Sequence, residues 1–187
     1  MGLILANKIQ AVFIDRDGTI GGNGHFIHPK NFIPYPFSQY ALNKLKEQGI
    51  KIFAFTNQHR ISLGEATISD FQEEFLSYGF DDAYICPHSP KEGCTCHKPK
   101  PGMLYEAAEK YNLDLTKCVV IGDVGTDMLA AHTVGAIKIL VMTGWGKSSY
   151  TEYRQIWQDI EPDYIADNLL YAVEWILNES PLQVTGK

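Results

Sequence analysis

At 187 residues the chain is the length of one ordinary domain, with room for an insertion or two but not for a second core. Hydrophobic residues at 45% and charged residues at 20% match globular usage, which sets aside disorder, collagen-like repeats and an extended coiled coil. A formal charge of -6 repels a polyanion, so nucleic acid is not an expected partner. The apolar start, Gly2 to Ala6, is too short to cross a bilayer and lacks the pattern of a signal peptide; neither membrane nor export is expected. Cys86, Cys94 and Cys96 fall within eleven residues while Cys118 stands alone, a spacing unlike a disulfide framework and suited to a reducing cytoplasm.

In chain order, the β-branched run from Ile9 to Ile14 stops at a cluster of Asp and Gly and is predicted as the first strand. Residues 18–37 carry Gly, Asn, His and three prolines without a period, and read as a long irregular flap. Ser38 is the expected cap of a helix running to Gly49, followed by a strand from Ile50 to Phe55. A helix near Glu65 to Tyr78, a strand from Ala83 to Cys86 and a helix from Pro101 to Tyr111 come next. Cys118 to Ile121, Asp127 to Val134 and Ala136 to Val141 read as strand, helix and strand. A short strand at Tyr164 and a helix through Leu169, Val173 and Ile176 close the chain.

This alternation predicts a Rossmann-like α/β sandwich of three layers, with a mostly parallel sheet covered by helices on both faces. Ligands of such sheets bind beyond the carboxyl ends of the strands. There the sequence puts Asp15 and Asp17 after the first strand, Thr56 and Asn57 after the second, Cys86 and His88 after the third, and Asp123 and Asp127 after the fourth.

Asp15-Arg16-Asp17-Gly18-Thr19 sets two carboxylates on one side of an extended segment, a pairing suited to magnesium and phosphate, although alone it reads equally as an Asx-rich turn. Lys98 alone reads as a surface lysine beside Lys100, and Asp127 alone as a favourable charge at a helix start. Cys86-x-His88-x5-Cys94-x-Cys96 offers three thiols and an imidazole, the ligand set of a closed structural zinc site, and Pro87, Pro90 and Gly93 mark it as a loop. A zinc loop over residues 86–97 would aim the following Lys98 at the sheet edge.

Taken in order, Asp15-x-Asp17-x-Thr19, Thr56, Lys98 and Gly122-Asp123-x-x-x-Asp127 resemble the four-part signature of the haloacid dehalogenase-like superfamily, over about Val12 to Gly144. The resemblance implies a phosphatase with an aspartyl-phosphate intermediate. In it Asp15 is the nucleophile, Asp17 the general acid and then base, and Thr56 and Lys98 the phosphoryl-oxygen ligands. Mg²⁺ is implied on Asp15, the Asp17 carbonyl and Asp123, with Asp127 behind them orienting Lys98 or a water.

The zinc loop narrows the likeness to the branch of D-glycero-D-manno-heptose 1,7-bisphosphate 7-phosphatases and histidinol-phosphate phosphatases. Two departures bear on substrate: His97 stands where the branch has Arg, and Val124 where the heptose enzymes have Lys. Asn57, Arg60, His25 and His97 are the expected substrate contacts. Only about twenty residues separate Gly18 from the first helix, too few for a folded cap, so the flap with Phe26 and Tyr35 must screen the site. Trp145 reads as packing. The expectation is a single-domain (1–187), monomeric, cytoplasmic, Mg²⁺- and Zn²⁺-holding phosphomonoesterase of a small phosphorylated metabolite, either a sugar phosphate or histidinol phosphate. Its competitors are a catalytically silent zinc-stabilised binding module and a polynucleotide-end phosphatase.

Overall fold

The structure, a computed structural model, describes residues 8–181; the apolar start from Gly2 to Ala6 lies outside them. Six strands form one sheet in the order β3-β2-β1-β4-β5-β6. They are β1 (Ala11–Ile14), β2 (Lys51–Asn57), β3 (Asp82–Cys86), β4 (Cys118–Gly122), β5 (Ile137–Val141) and β6 (Tyr164–Ala166). Every pairing is parallel, so the sheet is more uniform than the mostly parallel one expected.

Burial on both faces explains why the strands read as unbroken apolar runs. Alternate residues serve opposite layers. Val12, Ile14, Ile52, Ala54, Val119 and Ile121 face one core, whereas Ala11, Phe13, Phe53, Phe55, Cys118 and Val120 face the other. Helices α1 (Ser38–Glu47), α2 (Ile68–Tyr78) and α6 (Leu169–Asn178) close the first core with Leu42, Leu45, Phe71, Phe75, Val173 and Ile176. The second is closed by α3 (Gly102–Tyr111) and α4 (Gly125–Val134), through Met103, Leu104, Ala107, Ala130 and Ala131. A helix of five residues that the sequence reading missed, α5 (Gly146–Tyr150), follows β5.

One cap and one helix start differ from expectation. Ser38 lies inside α1 instead of capping it, and its buried hydroxyl donates to the Ile20 carbonyl at 2.7 Å, tying the flap to the helix. Helix α2 starts a few residues later than predicted, at a capping box of Thr67 and Asp70. Between Ile14 and Ser38 the chain forms a turn, two isolated bridges and the short 3-10 turn Pro29–Asn31. Since β1 lies between β2 and β4, chain order reverses at its carboxyl end, the position where sheets of this kind open a crevice. Among the described residues no helix is long and apolar enough to cross a membrane.

Candidate active site

A cleft of about 200 Å³ opens at that end, lined among others by Asp15, Asp17, Thr56, Lys98 and Asp123. Asp15 continues β1, its N–H donating to the Ile121 carbonyl of β4 at 3.0 Å, so the two central strands fix its position. Lys98 reaches the same floor from the cysteine loop, buried to 4% exposure. Its ammonium donates to Asp15 Oδ1 at 3.1 Å, to Asp127 Oδ1 at 2.6 Å and to the Phe55 carbonyl at 2.9 Å, which uses all three hydrogens. Burial by itself would lower this ammonium's pKa, but the Asp127 and Asp15 carboxylates outweigh it and hold Lys98 above its usual range.

Asp123 sits at the end of β4, where the Trp145 N–H donates to its Oδ2 at 2.8 Å. Gly18, at φ 84, and Gly144 let two backbones close on this carboxylate; a Cβ at either would collide with it. Burial, with Asp15 and Asp127 nearby, pushes Asp123 well above the usual carboxylate range. Carboxylate oxygens of Asp15, Asp123 and Asp127 all lie within 4.8 Å of one another, and all three residues are buried. Three buried acids crowd one ammonium, a repulsion that a cation would relieve, and an all-oxygen donor set fits Mg²⁺.

Asp17 is held from two sides. Arg16 donates to its Oδ1 at 2.7 Å and Gln58 Nε2 to its Oδ2 at 2.6 Å, and Gln58 also donates to the Thr56 hydroxyl at 3.0 Å. Burial pushes the Asp17 carboxyl up to about 6 even though Arg16 pulls it down. Sequence reading missed Arg16, whose side chain is wholly buried. It makes a two-pronged ion pair with Glu74 of α2 at 2.6 and 2.9 Å, donates to the Ile27 carbonyl of the flap at 2.9 Å, and lies 3.8 Å from the centre of the Phe32 ring.

Thr56 and Asn57 are the last residues of β2 instead of following it, and Asn57 pairs in register with Cys86 of β3. Asn57 lines the cleft, yet its amide is engaged by backbone. Oδ1 accepts from the Lys98 N–H at 3.0 Å, and Nδ2 donates to the Lys98 carbonyl at 3.3 Å. The cysteine loop thus leaves the sheet beside Asn57 and returns into its grasp.

Within that loop the Cys86, His88, Cys94 and Cys96 ligand atoms also gather within 4.8 Å of one another. Separations from Cys86 Sγ are 3.3 Å to Cys96 and 3.8 Å to Cys94, and His88 Nδ1 is 3.2 Å from Cys96 Sγ. A disulfide would be near ~2.0 Å. Edges of a tetrahedron with ~2.3 Å metal–sulfur bonds are ~3.8 Å, so the cluster fits zinc.

The remaining expected contacts divide. Arg60, on the 3-10 turn His59–Leu63 after β2, lines the cleft, and so does its neighbour His59, which the sequence reading passed over. His97 does not line it: its Nδ1 lies 3.6 Å from Cys86 Sγ, on the cysteine side. His25 is exposed and rests edge-on against Trp145, with ring centres 5.1 Å apart, outside the lining. Phe26 lines the cleft, whereas Tyr35 donates its hydroxyl to the Gly22 carbonyl at 2.7 Å within the flap. Trp145, read from sequence as packing, is a cleft wall. Its neighbours Gly144 and Gly146 carried the only sequence signal, that of a turn.

A parallel sheet whose reversal point gathers acids around one lysine, with a cysteine loop behind it, is the arrangement of haloacid dehalogenase-like hydrolases. Residues 95–172 match the family model described as "HAD-hyrolase-like". The chain is 31% identical to the D-glycero-beta-D-manno-heptose-1,7-bisphosphate 7-phosphatase of Escherichia coli, over 93% of this chain and 91% of the other. It is 32% identical to the Helicobacter pylori protein of the same name, over 75% of this chain and 86% of the other. The crystal structure of D,D-heptose 1,7-bisphosphate phosphatase from B. bronchiseptica, complexed with magnesium and phosphate, superposes with a TM-score of 0.79 at 27% identity. That match covers 91% of this chain and 99% of that one. The chain therefore belongs to the haloacid dehalogenase-like phosphatases, the family of these heptose bisphosphate enzymes.

Proposed function

We propose that the chain is a Mg²⁺-dependent phosphomonoesterase that hydrolyses a small phosphorylated metabolite, a sugar phosphate or histidinol phosphate, through a phosphoryl group carried on Asp15. The observation that carries this reading is the buried Lys98 ammonium, bonded at once to Asp15 and Asp127 beside the buried Asp123. The residues that would hold the ion are Asp15, the Asp17 carbonyl and Asp123, with Asp127 behind them through Lys98. When bound, Mg²⁺ supplies the positive charge that lets a carboxylate approach a phosphate dianion.

Asp15 attacks phosphorus in line while the bond from phosphorus to the leaving oxygen breaks. Asp17 gives its proton to that oxygen, a task suited to a carboxyl whose pKa stands at about 6. The Asp17 carboxylate then takes a proton from water as it attacks phosphoryl-Asp15, which releases inorganic phosphate and restores both acids. Because the Thr56 oxygen already accepts from Gln58, its own O–H is free to donate to a phosphoryl oxygen. Lys98 exchanges its bond to Asp15 for one to the same group, stabilising the charge that builds there. Asn57 positions Lys98, and zinc on Cys86, His88, Cys94 and Cys96 would stiffen the loop that carries it. Arg60 and His59 are the cationic or cationisable groups on the β2 side available to the rest of the substrate.

Phosphate release from an aryl phosphate tests the reading. Turnover should require Mg²⁺ and should fall by at least about 10³-fold in Asp15→Asn. Equal rates in the two proteins would remove Asp15 as nucleophile and favour the silent binding module, and tight, salt-sensitive DNA binding would favour the polynucleotide reading. Metal analysis of the same folded protein should find zinc, and its absence would refute the four-ligand loop.

A further inference from the structure

On the far side of Val124 and Trp145 from Asp15, next to the cleft, lies an apolar groove of about 320 Å³. Val124, Thr126 and Trp145 line both spaces, so the groove adjoins the cleft at these three residues. Trp157, 2% exposed, forms the groove's floor, and Tyr153 and Ile156 stand along it at 45% and 60% exposure. A side chain at Gly125 would run into the Trp157 ring, so the helix start is cut back to seat that indole. The Arg154 guanidinium lies 4.1 Å from the centre of the same ring, and Trp157 Nε1 already donates to the Ser149 carbonyl at 3.1 Å. The indole is therefore fixed and its polar atom satisfied, and no charged side chain lines the groove.

We propose that this groove is a leaving-group subsite that takes the apolar face of a ring. The preferred substrate would then join its phosphate to a body with at least one flat apolar face. The inference rests on the phosphatase reading above, because a phosphoryl group held at Asp15 and Lys98 is what delivers the leaving group to Val124 and Trp145. Aromatic and branched walls reward a ring face that covers them, whereas a second phosphate on this side would lose water and meet no charged side chain in the lining. Exposed Ile156 and Tyr153 beside a buried indole are the apolar surface such a ring would remove from water.

Phosphonates, whose C–P bond is not hydrolysed, separate binding from turnover. Calorimetry with Mg²⁺ should show 2-naphthylmethylphosphonate binding the wild type about tenfold or more tightly than methylphosphonate. Ile156→Asp should abolish most of that ratio, and Tyr153→Ser part of it. Both residues are exposed, and a ratio taken on one preparation cancels any loss of folded protein. Equal affinities in the wild type, or a ratio that survives Ile156→Asp, would overturn the proposal. So would a change of oligomeric state in Ile156→Asp with the ratio intact, which would make the groove a contact between copies. Naphthyl selectivity without hydrolysis of any monoester would remove the leaving-group role together with the phosphatase reading, while a monoesterase lacking that selectivity would lose the groove alone.

Discussion

At the floor of the cleft Lys98, Arg16 and Asp17 are each tied from several directions, whereas Arg60 and Ile156 on the walls are held loosely. Lys98 has three acceptors, Arg16 three partners and two flanking rings, and Asp17 two donors. On the walls, Arg60 has one half-exposed ion pair and Ile156 faces water. A network of multiply bonded buried charges is rigid and costly to alter, because each deletion leaves a buried group unpaired. A solvated wall residue can change at little cost in stability. On the proposed function, the chemistry sits where substitution is expensive and the choice of substrate where it is cheap.

The strongest way to break this comparison is at Glu74. Replacing it with Ala leaves the Arg16 guanidinium fully buried without its main counter-charge, and breaking such a pair costs about 3–5 kcal/mol. Denaturant unfolding should register a loss of that order. A loss below about 1 kcal/mol, the range of a surface ion pair, would show that the floor is no more tightly built than the walls.

Arg16 also marks where reading the sequence stops. The parallel sheet, its two faces and the convergence of Asp15, Thr56, Lys98 and Asp123 on one edge were all legible, because strand periodicity and motif order are local signals. Arg16 between two aspartates looks like a solvated charge, and its partner Glu74 is 58 residues away. Asn57 likewise reads as a substrate contact until Lys98, 41 residues on, is seen to occupy its amide. Trp145 and the groove behind it depend on α5 and on the seat at Gly125, which no period announces. What was missed is tertiary pairing between segments distant along the chain.

A somewhat smaller effect follows from protonation at the floor. The folded pKa of Asp17, about 6, lies above its unsupported value of 3.8. Below pH ~4 both states carry the proton; between there and pH ~6 only the folded state does, so stability falls as pH rises through that window and then levels off. The difference between these values corresponds to roughly 3 kcal/mol. Asp17→Asn cannot titrate, so in metal-free protein the stability of wild type relative to this variant should decline from pH 4 to pH 7, whatever the offset between them. A flat difference would mean that Asp17 is an ordinary solvated acid and belongs with the walls.

The smallest effect is expected at Arg60, and it decides whether the two walls differ from each other. Arg60 pairs with Glu65 at 2.9 Å, with both side chains about 42–43% exposed, an interaction worth little. Its guanidinium lies 5.9 Å from the centre of the Phe26 ring, and the residue lines the cleft on the β2 side. Val124, on the β4 side, offers no charge. An anionic group on the substrate should therefore be read at Arg60, and an apolar ring in the groove. Arg60→Ala should raise KM for a bisphosphorylated substrate several-fold, up to about tenfold, with a smaller change in kcat. A monophosphate of similar size should be affected less, because only the bisphosphate presents a second anion to the missing guanidinium. Glu65→Gln, which releases Arg60 from its carboxylate, should lower KM for the bisphosphate. If both substrates respond equally to both substitutions, Arg60 contributes only to the shape or general charge of the cleft, and the walls do not divide the substrate between them.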